Sequence, residues 1–189
     1  MVHAPRTDAH LTALGGNGID NYQGGEIMLF RYEVHMIGDG GHAKVVRDAL
    51  ERMSPVFDGK DYVFVAIGDN ENRRKEVFAV LKDGVRKFVT IIHPDAVIGK
   101  NVKIGRGTVV MAGAIVQAEA IIGDHCILNS NSVVDHECLV HDYAHIAPGA
   151  VLCGNVTVGE GALIGAGAVC VPGAVIPPWS LVKAGTVAK

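Results

Sequence analysis

The chain has 189 residues, enough for one large or two small domains, and its 49% hydrophobic, 20% charged composition is that of a globular protein. A net charge of −3 offers no electrostatic footprint for nucleic acid, and no apolar run is long enough for a membrane-spanning helix. The four cysteines show no C-x-x-C spacing, so they read as small buried hydrophobes, and a reducing cytoplasm is the expected compartment.

Residues 1–27 show no periodicity and lack the apolar core of a signal peptide. Met28 is a candidate start, and the preceding segment is expected to be a poorly ordered extension or tail.

Residues 28–92 read as a small α/β domain, a shortened relative of the doubly wound fold. Tyr32–Ile37 is a strand, and Gly38-Asp39-Gly40-Gly41-His42 is a glycine-rich turn. Ala43–Met53 has the spacing of a helix, with Val45, Val46, Ala49 and Leu50 on one face. Tyr62–Ile67 is a buried strand, Gly68-Asp69-Asn70 offers a cap, and Glu71–Leu81 is a second helix. Phe88–Ile92 is expected as a third strand of a parallel sheet. The glycine turn leads into a helix N-terminus, where free N–H groups and the absence of side chains favour phosphate.

From residue 93 to 178 a small apolar residue returns at every sixth position, from Ile98 and Ile104 through Leu128, Val134 and Leu152 to Cys170 and Ile176. A period of six fits neither a strand nor a helix. It is the signature of a left-handed parallel β-helix built from hexapeptide repeats, with 18 residues per triangular coil. Tyr143 is the one aromatic residue in this stretch, as a narrow prism requires. Pro177-Pro178-Trp179 is expected to end the repeats, and residues 179–189 to cap the last coil.

Four histidines crowd one stretch: His125, His136, His141 and His145. A carbonic-anhydrase-like metal site on this scaffold needs a third histidine about two coils before His136 and His141, and residues 100–105 contain none, so no metal is expected. His136 lies at a corner beside Glu137 and points outward; an imidazole oriented by a carboxylate suits general-base work at neutral pH. His145 precedes an inward position and faces out, while His125 and His141 read as surface residues.

These pieces resemble a family. Ile37-Gly38-Asp39-Gly40-Gly41-His42-Ala43-Lys44-Val45-Val46, Ala66-Ile67-Gly68-Asp69-Asn70 with Arg73, Ile92-His93-Pro94, Leu128-Asn129, Val133-Val134-Asp135-His136-Glu137-Cys138, His145-Ile146-Ala147-Pro148-Gly149 and Gly154-Asn155-Val156 stand in the order found in bacterial sugar O- and N-acetyltransferases. That group includes sialic acid O-acetyltransferases and the UDP-4-amino-sugar and GDP-perosamine N-acetyltransferases.

The resemblance implies an acetyl-CoA-dependent acetyltransferase acting on an amino or hydroxyl group of a sugar, nucleotide-linked, with no metal. It makes His136 the base and Glu137 its partner. It places Asn129, His145, Gly154, Gly165 and Ala166 at acetyl-CoA, and Gly40, Gly41 and His42 at the nucleotide-sugar phosphates. It also implies a homotrimer with the cofactor groove between subunits. One departure stands out: only residues 54–60 separate the first helix from Tyr62, so the family's second strand is mostly missing. That loss motivates the alternative of a non-catalytic trimeric scaffold or regulator.

Overall fold

The computed structural model describes residues 9–13, 32–52, 62–84 and 87–189. The expected tail at 1–27 lies outside these except for β1 (Ala9–Ala13), where no element was expected. β1 pairs antiparallel with β2 (Tyr32–Ile37), from Ala9 opposite Met36 to Ala13 opposite Tyr32. β2 pairs in parallel with β3 (Tyr62–Val65) on its other edge, and α1 (Gly41–Arg52) makes the crossover. β1 thus fills an edge of β2 that would otherwise offer unpaired backbone groups.

The helices follow the expected pattern with shifted ends. α1 begins at Gly41 rather than Ala43, and its buried stripe is Ala43, Val46, Ala49 and Leu50; Val45 faces solvent. Its expected end at Met53 lies outside the described residues. α2 spans Asn70–Lys82, because Asp69 caps it by accepting from the Asn72 N–H at 2.8 Å.

Two expected boundaries need correction. The third strand is split: Phe88 makes an isolated bridge to Val63, whereas Ile91–Ile92 pairs with Val109–Val110 and opens the β-helix. The segment after Trp179 continues the solenoid, with Leu181 opposite Leu163 and Val187 opposite Val169. Both errors have one cause: a rung needs only two residues at the right step, and the flanking prolines end no ladder.

The β-helix has three parallel faces of six, six and five two-residue strands. The first face runs from Ile91–Ile92 to Leu181–Val182, the second from Val97–Ile98 to Val187–Ala188, and the third from Lys103–Ile104 to Val175–Ile176. The second residue of each pair points inward, so Val116, Leu128, Val134, Ile146, Leu152 and Ile164 fill the prism. At the corner between the second and third faces, one residue per coil holds a left-handed backbone: Asn101 (φ 59), Glu119 (φ 63), Glu137 (φ 59), Asn155 (φ 58) and Gly173 (φ 73).

Outward residues differ by face. On the first, Ile91, Val109 and Ile127 are buried because they share a core with Val34, Met36, Val46 and Leu50. The α/β unit therefore sits on the N-terminal part of that face. The second face presents Val97, Ile115, Val133, Val151, Val169 and Val187, an unbroken β-branched ladder.

Candidate active site

His136 stands at the corner between the second and third faces. Asp135 Oδ1 accepts from its backbone N–H at 2.7 Å, and Glu137 Oε2 lies 3.0 Å from its Nδ1. Both side chains of the His136–Glu137 pair are more than half exposed. A carboxylate accepts, so the contact places the proton on Nδ1 and leaves Nε2 with a free lone pair. One coil on, Gly154 lies against that ring.

A groove of about 610 Å³ opens here, lined by Asp135, His136, Cys153, Gly154, Asn155, Pro172 and Gly173. Cys153, Asn155, Pro172 and Gly173 were missed in the sequence. A signal for them existed: each lies one or two 18-residue coils beyond Asp135, His136 or Glu137.

A second cluster stands at the corner between the first and second faces. Asn129 Oδ1 accepts from the Ser130 N–H at 2.8 Å, which fixes the amide and turns Nδ2 toward His145 Nε2 at 3.2 Å. Burial, then the charge of Arg73 and the proximity of His42, push His145 down to about 4, so it is neutral at physiological pH. The Gly68 backbone beside the ring acts in the other direction, favouring the charged form, but ranks below the three causes that lower it. The His42 ring lies 6.5 Å from that of His145 and is likewise pushed to about 4, by burial and by Arg73. His145 is thus a part-buried outward residue beneath the α/β unit.

Gly40 and Gly41 precede His42. Neither has a positive φ; that conformation belongs to Gly38 (φ 114), where a Cβ would fall 2.8 Å from the Ala66 carbonyl oxygen. A Cβ on Gly40 or Gly41 would meet nothing within 4 Å, so these two leave the approach to α1 open. Gly165 is required by the fold itself, since a Cβ there would reach Ala184 N at 2.5 Å. Ala166 beside it is exposed.

His125, expected on the surface, is buried at 3% exposure. Its ring meets Phe88 edge-on at 4.6 Å and stacks on Tyr143 at 5.4 Å, and burial pushes it to about 4. The α/β unit covers this corner, which the hexad register alone does not report.

Arg73 joins the two units. It is 1% exposed, and burial lowers its guanidinium to about 10. Nε donates to the His125 carbonyl at 2.9 Å, Nη1 to Ile67 at 2.9 Å, and Nη2 to Tyr143 at 2.6 Å. Asn70 adds a bond from Nδ2 to the Gly161 carbonyl at 2.9 Å. The Gly68–Arg73 segment is therefore an interdomain clasp, and Gly68 carries it to His145.

Within one chain, His136, Glu137 and Gly154 are thus on one corner, and Asn129, Gly165 and Ala166 on another, with His145 and His42 beside the latter. The two corners bound the same apolar second face. Among the described residues, no three His, Cys, Asp or Glu side chains converge as a metal would require, and no helix is long and apolar enough to cross a membrane.

Residues 101–136 and 137–172 match the bacterial transferase hexapeptide family (six repeats). A solved structure of PerB from Caulobacter crescentus, in complex with CoA and GDP-perosamine, is 36% identical; the similarity covers 82% of this chain and 87% of that one, with a TM-score of 0.75. The acetyltransferase domain of PglB from Neisseria gonorrhoeae is 33% identical over 82% of this chain and 89% of that one, with a TM-score of 0.72. The UDP-N-acetylbacillosamine N-acetyltransferase of Bacillus subtilis is 38% identical over 38% of this chain; the chain spans about half (48%) of that relative's length. With 82% of this chain and 87% or more of the two solved relatives matched in sequence and fold, the chain belongs to the hexapeptide-repeat family of bacterial sugar acetyltransferases.

Proposed function

We propose that the protein transfers the acetyl group of acetyl-CoA to an amino group of a nucleotide-linked sugar, as a homotrimer with His136 as general base. The observation that carries this reading is the His136–Glu137 pair, with the His136 Nε2 edge against Gly154 at the mouth of the groove. The relatives support the donor and the acceptor class, since PerB was solved with CoA and GDP-perosamine.

The second face supports the trimer. Six β-branched side chains in line are best buried against copies of themselves under closed symmetry. If three copies turn this face to a common axis, the His136 corner of one meets the Asn129 corner of the next. A composite site then forms between subunits.

In that site the acceptor amine attacks the thioester carbonyl while His136 Nε2 takes its proton. Glu137 holds the ring and stabilises the imidazolium as it forms. The Asn129 N–H not engaged by His145 is available to the developing oxyanion, and neutral His145 aims it. Collapse expels the CoA sulfur, which recovers the proton from His136. Asp135 and Glu137 give the site a negative potential that suits an ammonium-bearing acceptor.

The test is to mix the protein with acetyl-CoA and a panel of UDP- and GDP-linked 4-amino sugars and to follow free thiol. Acetylation of at least one amino sugar supports the reading. Absence of transfer to every member, by a protein that still assembles as a trimer, favours the scaffold alternative.

A further inference from the structure

We infer that Arg73 is a positioning residue for acetyl transfer: its buried guanidinium keeps Nε2 of His145 an acceptor, and so keeps an N–H of Asn129, rather than its carbonyl oxygen, free for the thioester. This rests on the acetyltransferase reading above.

The orientation of the amide is fixed from both sides. The Ser130 N–H can only donate, so the Asn129 atom 2.8 Å from it is Oδ1, and the atom facing His145 is Nδ2. Nδ2 in turn donates to His145 Nε2 at 3.2 Å, which must therefore be bare. A proton on Nε2 would set two donors against each other. The amide would then have to flip. That breaks the bond to Ser130 and turns a carbonyl oxygen to the place where the oxyanion develops, where it repels charge instead of stabilising it. The arrangement is all or none, and one proton decides it.

Arg73 is placed to withhold that proton. It is 1% exposed, and its side-chain bonds end on neutral oxygens: the carbonyls of His125, Ile67, Gly68 and Tyr143 and the amide oxygen of Asn70. None of these cancels its charge. The Gly68 carbonyl accepts from Nη1 at 3.2 Å, and the backbone of that same glycine lies beside the His145 ring. One peptide thus separates a buried cation from an imidazole, in surroundings where like charges repel strongly. A clasp between carbonyls needs donors but no charge, and burying an uncancelled cation is costly. Action on His145 is what the charge adds.

The remaining groups do not compete. His42 is held neutral near 4 and acts on His145 in the same sense as Arg73. Asp69, the acid that faces Arg73, uses Oδ1 to cap α2. Burial pushes the Cys126 thiol up to about 12 and raises the Tyr143 hydroxyl, so both stay neutral. In the proposed trimer a neighbouring copy adds His136 and Glu137, and that carboxylate is held by its own imidazole.

The experiment follows the His145 ring by nitrogen NMR in the full-length protein and measures kcat for acetyl transfer across pH, in wild type, Arg73→Met and Arg73→Lys. In wild type the ring should stay neutral with Nε2 bare down to about pH 5, since burial and Arg73 hold it near 4. Arg73→Met should let the ring bind its proton about tenfold more tightly and move the acid limb of kcat to higher pH, with CoA affinity unchanged. Arg73→Lys loosens the clasp as well but keeps a cation, so it should return the wild-type profile. A wild-type profile in Arg73→Met, or an equal shift in both variants, overturns the assignment and leaves Arg73 a clasp only. If Arg73→Met does not fold, the wild-type ring decides: titration near the ordinary 6.5 overturns the assignment, and a bare Nε2 through that range supports it. A wild-type protein that transfers no acetyl group overturns the acetyltransferase reading and this role with it.

Discussion

A Cβ built on Gly154 would fall 2.5 Å from Nε2 of His136, one coil away in the stack. The glycine is therefore the surface against which the imidazole rests. Gly154 lacks a positive φ, so alanine suits its backbone. We expect Gly154→Ala to melt close to wild type and to lose most of its turnover, because the ring must swing off its partner. Full turnover in this variant would mean that the orientation of His136 is not used.

His136→Ala should lower kcat by about 10²–10⁴, the ordinary contribution of a general base, and leave CoA affinity nearly unchanged. Glu137→Gln should cost less, since the amide still accepts from Nδ1 without stabilising the cation. Steady-state kinetics with direct measurement of CoA binding separates the two effects.

Val151→Glu should break the assembly. It places a carboxylate in the middle of the Val133–Val151–Val169 ladder, with like charges brought together at the axis. Light scattering should give three times the 19.9 kDa chain mass for wild type and one chain mass for the variant. Activity should disappear with the trimer, although every half-site residue is present. Monomeric wild type, or an active monomer, would remove the composite site.

His42, His125 and His145 are each held near 4 by burial, below the ordinary 6.5. The unfolded chain protonates them below pH 6.5 while the folded chain keeps them neutral. Unfolding thus takes up protons between pH 6.5 and 4, and stability must fall as pH is lowered through that window. The denaturant midpoint should be flat above pH 6.5 and decline toward 4. His125→Phe, which keeps a ring between Phe88 and Tyr143, should reduce the slope. A midpoint that ignores pH across this range would contradict the burial of these rings.

Arg73→Met should separate the two units. It strips donors from the carbonyls of His125, Tyr143 and Ile67 and leaves them buried, a loss of about 3–5 kcal/mol by analogy with broken buried charge networks. Arg73→Lys should rescue little, because a point charge cannot serve acceptors spread over both units. Hydrogen exchange should show β2, α1 and β3 exchanging early while the late coils stay protected.

The solenoid and the His136 corner were legible because a six-residue period leaves no freedom: Leu128, Val134 and Ile146 must point in, and Asp135, His136 and Glu137 must then form a corner. His125 shows where such reading stops. Its place in the hexad says only that it leaves the prism, and its burial is decided by Phe88 and Arg73, far away in sequence. The strand at Ala9–Ala13 lacks any period of its own and exists as the partner of β2. The glycine turn stands between strand and helix as read, but Gly38, Gly40 and Gly41 look alike as letters, and only the close approach of Ala66 singles out Gly38.

Glu137 occupies the left-handed corner that Asn101, Glu119, Asn155 and Gly173 also occupy. Asparagine and glycine enter that region at little expense, whereas a longer side chain is strained there by about 1 kcal/mol or more. Glu119 carries the same strain one coil earlier and accepts from Asn101, whereas Glu137 carries it where its carboxylate reaches His136. Screens that select for heat tolerance alone should drift toward Asn or Gly at this position. The variants they recover should be sturdier and poorer catalysts, so thermal selection on this scaffold works against turnover unless Glu137 is held fixed.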